Sequence, residues 1–156
     1  MIEGGRLAHI NKSGGGVPKI HVMTALITLR GVEGDRQADA KHHGGPDRAI
    51  CLYSLEHIRA LQGEGHPIHP GSVGENLTLA GVAWDRLVPG VSLDVGQARL
   101  MITSYTTPCR TIRESFVGHR IGRISQKFHP GWSRVCAKVL HPGVITVDDE
   151  VSLLLS

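Results

Sequence analysis

A chain of 156 residues, 40 % hydrophobic and 20 % charged, is the length of one domain with its own core and too ordinary in composition for a disordered or fibrous protein. A net charge of +3 is too mild for a dedicated nucleic-acid binder, and the longest mostly apolar run, residues 22–29, is far too short to span a bilayer. Three cysteines, Cys51, Cys109 and Cys136, form no CxxC pair, so neither a disulfide framework nor a structural zinc site is expected.

Aromatic residues make up only 4 % of the chain, so the core must be mainly Val, Ile and Leu. Residues 1–16 lack the apolar centre of a signal peptide, and a reducing cytoplasm is the expected compartment. Residues 7–11 and 19–22 read as two strands joined by the turn Gly14-Gly15-Gly16, and residues 25–29 as a third strand stopped by Gly31 and Gly34. A polar stretch, 34–48, separates it from the apolar segment 49–53. Ser54 then has the character of a helix N-cap, with Glu56 in the first turn. Leu55, Ile58 and Leu61 recur at helical spacing until Gly63, Gly65 and Pro67.

A second polar turn, 71–76, leads into Leu77-Thr78-Leu79. Residues 91–95 and 99–105 are strand-like, the latter ending at Pro108-Cys109. Residues 111–128 are the best candidate for further helix, broken near Gly118 and Gly122, which would put Arg120, Arg123 and Lys127 on one face. Val135, Ala137 and Val139 alternate, His141-Pro142-Gly143 turns the chain, and 144–147 and 151–155 close it as strands. Many short strands, short helical inserts and no βαβ rhythm predict a mainly β protein, an antiparallel β-barrel.

In the polar stretch, Gly44-Gly45 lets backbone approach a ligand, His42-His43 can titrate, and Arg36, Lys41 and Arg48 are cations. It reads either as a solvated loop or as a ligand site. Between Arg99 and Lys138, eight Lys/Arg stand against one acid, Glu114; this suits an anionic ligand or a solvated face. Cys109 follows a proline turn beside Arg110 and Arg113, where guanidinium charge favours thiolate, the form that ligates soft metals. Cys51 and Cys136, inside apolar strand patterns, read as small core fillers. Asn76 could offer a donor and an acceptor to a heterocycle edge, or serve as an ordinary turn residue. A zinc hydrolase using His42, His43, His66 and His69 is a remote reading, because Pro67 and Pro70 spoil a helix there and no acidic base stands at a recognisable spacing.

Gly34-Asp35, His43-Gly44-Gly45-Pro46-Asp47-Arg48-Ala49, Gly71-Ser72-Val73-Gly74-Glu75-Asn76-Leu77-Thr78 and Pro108-Cys109, in this order and spacing, resemble the MOSC family, domains named after the C-terminal part of molybdenum cofactor sulfurase. The resemblance runs over residues 20–154 and implies a small stand-alone bacterial-type member, a single MOSC domain over 1–156 with a pyruvate-kinase-barrel-like fold. It implies a molybdenum cofactor, a pterin dithiolene carrying metal and phosphate, and brings the family's general labels of molybdenum ion and pyridoxal phosphate binding. Cys109 matches the metal-bound cysteine. The cofactor-binding set it implies is Asp35, Arg36, His43, Gly44, Gly45, Arg48, Glu75, Asn76, Thr107, Arg110 and Arg113. Within that set, Arg36, Arg48, Arg110 and Arg113 would hold the phosphate, Gly44-Gly45 and Asn76 would read the pterin, and His43 would donate protons as a second catalytic residue. Thr107 stands where relatives often have Arg, and Asp148-Asp149 where they have Gly-Asp.

The activity implied is reduction of N-hydroxylated compounds, hydroxylaminopurines or amidoximes, to amines. Electrons would come from a separate redox protein, since three cysteines cannot hold a cluster. The alternative is a non-catalytic carrier of the cofactor, or of sulfur as a persulfide on Cys109. No nucleic-acid or membrane partner is expected.

Overall fold

The first strand, β1 (Ile2–Lys12), is long and bulged between Leu7 and His9, and that irregularity lets one strand serve several neighbours. A computed structural model describes residues 2–35 and 45–154. After β1 come β2 (Ile20–Val22), β3 (Thr24–Thr28), β4 (Gly31–Val32), β5 (Ile50–Ser54), the helix α1 (Leu55–Gly63) and β6 (Leu77–Ala80). Then follow β7 (Ser92–Val95), β8 (Ala98–Tyr105), β9 (Val135–His141), β10 (Gly143–Thr146) and β11 (Glu150–Leu154). The strands β11-β7-β8-β9-β5-β6-β1 are hydrogen-bonded in that order, and β1 pairs back onto β11, closing a seven-stranded barrel. β2 extends from β1, and β10-β3-β4 form a small second sheet.

The expected β-barrel is present, with one departure from an all-antiparallel design: β5 and β6 run parallel, joined through α1. This βαβ unit left no alternating signature. Every residue of β5 and β6 is buried, because the inner face fills the barrel while α1 covers the outer one. Strands with one solvated face, β7 and β8, alternate instead. The Ser54 side chain accepts the His57 N–H at 3.1 Å and caps α1, whose buried Leu55, Ile58 and Leu61 each contribute about 1.5–3 kcal/mol of apolar burial.

The helix expected over 111–128 is corrected. The segment consists of short 3-10 turns, Arg110–Ser115, Val117–His119 and Ile121–Ile124. Gly118 (φ 67°) and His119 (φ 57°) are left-handed, a conformation an α-helix cannot continue through. Arg123 therefore turns inward, donating to both carboxylate oxygens of Glu64 at 2.9 and 2.8 Å and stacking 4.2 Å over Trp132, while Arg120 and Lys127 stay exposed. Asp148 is also left-handed (φ 75°) and accepts a hydrogen bond from Arg6 at 3.3 Å. Among the described residues no helix is long and apolar enough to cross a membrane.

Candidate functional site

Where β8 ends and β9 begins, the barrel opens into a cleft with about 610 Å³ of free space, part of it continuous with solvent. One wall is the β1–β2 turn, Gly16, Val17 and Lys19; the opposite wall is Thr106, Cys109, Thr111 and Ile112. Arg48, Cys51, Val73, Gly74, Arg134 and Cys136 complete it. Cys109 is partly exposed and shares a 2.8 Å hydrogen bond with the Thr111 hydroxyl. Its carbonyl accepts the Ile112 N–H at 3.2 Å, which starts the turn behind it.

Arg134 is the unusual group on this surface. It is 5 % exposed. Its Nη1 donates to the Val73 carbonyl at 2.7 Å, and its Nε and Nη2 have no hydrogen-bond partner. A guanidinium held out of water with two idle donor groups has the chemistry to receive an oxyanion. Behind it lies Glu75, fully buried, with Oε1 unpartnered and Oε2 accepting from the Thr78 hydroxyl at 3.1 Å. Burial pushes the Glu75 carboxyl up to about 7, so near neutrality it offsets the Arg134 charge only in part.

A second polar cluster supports the wall that carries Lys19. Lys19 Nζ donates to both Asp35 oxygens at 2.7 and 2.9 Å, with both side chains buried. Asp35 also accepts from the Ser13 N–H at 2.9 Å and from Asn76 Nδ2 at 2.8 Å. The other end of the Asn76 amide accepts the Cys51 N–H at 2.9 Å. Lys19 N–H donates to the Gly71 carbonyl at 2.9 Å; a Cβ at Gly71 (φ 86°) would stand 2.6 Å from the Lys19 carbonyl oxygen, so this close approach requires glycine.

Among the site residues expected from sequence, Cys109 and Arg48 border the cleft. Asp35, Glu75 and Asn76 lie behind its walls, and the Asn76 side chain, expected to read a pterin, has both ends occupied within the protein. Gly45 (φ 97°) precedes the 3-10 turn Pro46–Arg48. Thr107 is exposed, and it is Thr106 that faces the cleft. Arg110 and Arg113 are exposed on the turn after Cys109, with Arg113 Nη1 donating to the Arg110 carbonyl at 2.9 Å. Arg36, His43 and Gly44, with Lys41 and His42, lie outside the described residues.

Sequence reasoning missed Arg134, Lys19, Thr106 and the two strand cysteines. Cys51 and Cys136 are indeed buried in strands, yet both face the cleft that Cys109 borders. The one available signal was a cation placed directly against an apolar strand, Arg134 before Val135 and Lys19 before Ile20. His66 and His69 do not converge: His66 Nδ1 accepts the Val117 N–H at 3.1 Å, and His69 Nδ1 lies 3.1 Å from the Pro70 carbonyl. Among the described residues no group of three or more His, Cys, Asp or Glu could hold a metal ion.

A family model for the MOSC domain matches residues 39–152. Among known proteins, the chain is 29 % identical over 142 residues to YflK of Bacillus subtilis (strain 168), covering 89 % of this chain and 63 % of that one. It is 30 % identical over 134 residues to YiiM of Escherichia coli (strain K12), covering 83 % and 58 %. The chain thus spans 58–63 % of the length of these two relatives. Among solved structures, the YUAD protein from Bacillus subtilis superposes with a TM-score of 0.77 at 17 % identity, covering 98 % of this chain and 97 % of that one, a likeness of fold.

Proposed function

This chain belongs to the MOSC domain family, and from that premise we propose that it binds molybdenum cofactor and reduces N-hydroxylated compounds, of the hydroxylaminopurine or amidoxime type, with electrons from a separate redox protein. The observation that carries the reading is the pairing, in one cleft, of a partly exposed thiol with a buried guanidinium whose Nε and Nη2 are unpartnered. These donors fit a group that brings a thiophilic metal and a phosphate together. Among the described residues no group of three or more His, Cys, Asp or Glu could hold a metal ion, which fits a metal that brings most of its own ligands, as a dithiolene-bound metal does.

Bound in the cleft, the cofactor supplies two-electron, oxygen-accepting chemistry that no side chain offers. The chain's own part is holding and orientation. Cys109 is the metal ligand, its sulfur positioned by the Thr111 hydroxyl at 2.8 Å. Arg134 and Arg48 take the phosphate, each charge-assisted bond worth about 1.5–3 kcal/mol. The Lys19–Asp35 pair fixes the Gly16–Val17 wall of the cleft. Arg36, His43 and Gly44 complete the proposed site, His43 as proton donor. Arg110 and Arg113, on the exposed rim, draw anions toward the cleft. The redox partner is a separate electron-transfer protein, in a reducing compartment such as the cytoplasm. Among the described residues, Lys19 is the lysine on the cleft wall, and it is clamped by Asp35 instead of being free to form an imine with pyridoxal phosphate.

The test is elemental analysis of protein made in a molybdenum-competent host, beside turnover of a hydroxylaminopurine with a chemical electron donor. Wild type should retain molybdenum and Cys109→Ala should retain roughly tenfold less or lower. Equal molybdenum in both proteins overturns the assignment. Bound molybdenum without turnover, together with a persulfide on Cys109 by mass spectrometry, replaces the reductase with a carrier.

A further inference from the structure

Two cysteines in the cleft wall have no part in that function. Cys51 on β5 and Cys136 on β9 stand directly opposite each other in the antiparallel ladder. The Cys51 N–H donates to Asn76 Oδ1 at 2.9 Å and its carbonyl accepts the Asn76 N–H at 2.8 Å. Both Cys51 backbone groups are thus spent on the side away from β9. The two residues therefore form a non-hydrogen-bonded pair, the kind in which opposite Cα atoms approach to about 4.5 Å and side chains come closest. That separation falls inside the span of about 4.4–6.8 Å that a disulfide bridges.

The sulfurs share more than register. Both side chains border the same cleft, and one hydroxyl, Thr106 Oγ1, lies 3.0 Å from Cys136 Sγ and 3.8 Å from Cys51 Sγ. Both cysteines are free thiols here. We propose that Cys51 and Cys136 form a reversible intramolecular disulfide in the cleft wall when a hydroperoxide enters the cleft. The Cys136 thiolate, stabilised by a hydrogen bond from Thr106, attacks the peroxide; an S–O bond forms, the O–O bond breaks and water or an alcohol leaves. Cys51 then attacks that sulfur, the S–S bond forms, the S–O bond breaks and a second oxygen leaves as water. Two thiols lose two electrons in total and the peroxide gains them; a small dithiol reverses the change. Burial pushes the Cys51 thiol up to about 12, so the first attack falls to the Cys136 sulfur, and Cys51 gives up its proton to the departing water in the second step. A closely constrained cross-strand bridge belongs to the reducible, regulatory kind of disulfide. The inference stands independently of the cofactor reading.

The experiment treats the full-length wild type and Cys109→Ala with hydrogen peroxide and follows intact mass, free thiols and tryptic peptides. Wild type should lose two of its three thiols and the mass of two hydrogens, and should yield the peptide 49–59 linked to 135–138; dithiothreitol should restore all three. Cys109→Ala should lose both of its thiols in the same way, and Cys51→Ala should form no bridge. The linked-peptide measurement on wild type decides the matter even where Cys51→Ala fails to fold. Linkage of peptide 100–110, which carries Cys109, to either partner overturns the proposal. So does oxygen added at Cys51 or Cys136 in the peptides that carry them, a disulfide-linked dimer, or persistence of the Cys51 and Cys136 thiols.

Discussion

Two sets of buried polar side chains flank the Cys109 cleft, and they are satisfied to different degrees. In the Lys19–Asp35–Asn76 cluster the charges neutralise each other and the remaining donors and acceptors are paired within the protein. In the Arg134–Glu75 pair, Nε and Nη2 of the cation and Oε1 of the acid have no partner. Burying polar groups costs free energy that only hydrogen bonds or opposite charge offset. The first set is compensated by the fold and therefore acts as framework. The second is compensated in part, and the deficit includes two buried donors on the cation of a residue that lines the cleft.

Breaking the framework set should have the largest effect. Asp35→Ala leaves the Lys19 ammonium buried without its partner and is expected to cost about 3–5 kcal/mol of folding stability, read by urea denaturation. Lys19→Met combined with Asp35→Leu removes both charges and should recover most of that loss. A single-variant loss below about 1 kcal/mol would mean that the pair is no more than a surface ion pair.

Glu75 sharpens the comparison through pH. Its carboxyl titrates near 7 in the folded protein against 4.5 in the unfolded chain, so the native state binds the proton more tightly. Its contribution is then most favourable below pH 4.5, declines as pH rises from 4.5 to about 7, and is level above that. Glu75→Gln abolishes this slope, with a gain on the order of 3 kcal/mol at pH 8 and little change at pH 4. Identical pH profiles for wild type and variant would place the carboxylate's charge in a better-compensated setting than its unpartnered oxygen indicates.

Much of the framework was legible in the sequence because it uses local signals. Ser54 before Leu55, Ile58 and Leu61 marks a capped amphipathic helix, and alternation around Leu93 and Leu100 marks strands with one solvated face. The parallel β5–β6 pair was not legible, since strands buried on both faces carry no alternation and the polar connection 64–76 hides the crossover. Residues 111–128 mimicked a helix because cations at spacings of three and four, Arg120, Arg123 and Lys127, look like a helical face even where Gly118 and His119 forbid one. Cys109 was legible from its proline and arginine neighbours, whereas Arg134, a cation beside a strand, looks in one dimension like a solvent-facing residue. Only the three-dimensional register brings it to the cleft and sets Cys51 opposite Cys136.

Arg134 itself gives the smallest effect on stability and the most diagnostic one. Arg134→Met keeps the apolar stem and removes the guanidinium. The variant loses the 2.7 Å bond to the Val73 carbonyl and also sheds a buried, half-satisfied charge. These changes oppose each other, so folding stability should shift by about 1 kcal/mol or less. Affinity for an anion should fall far more, by about 1.5–3 kcal/mol, or roughly 10- to 150-fold, measured with inorganic phosphate by calorimetry and by phosphate-dependent thermal shift. A framework residue behaves the other way round: its loss costs stability first and binding only as a consequence. An Arg134→Met protein destabilised by about 3 kcal/mol or more that still binds phosphate as wild type does would move Arg134 into the class of Lys19 and Asp35, and the cleft would lose its anion receptor.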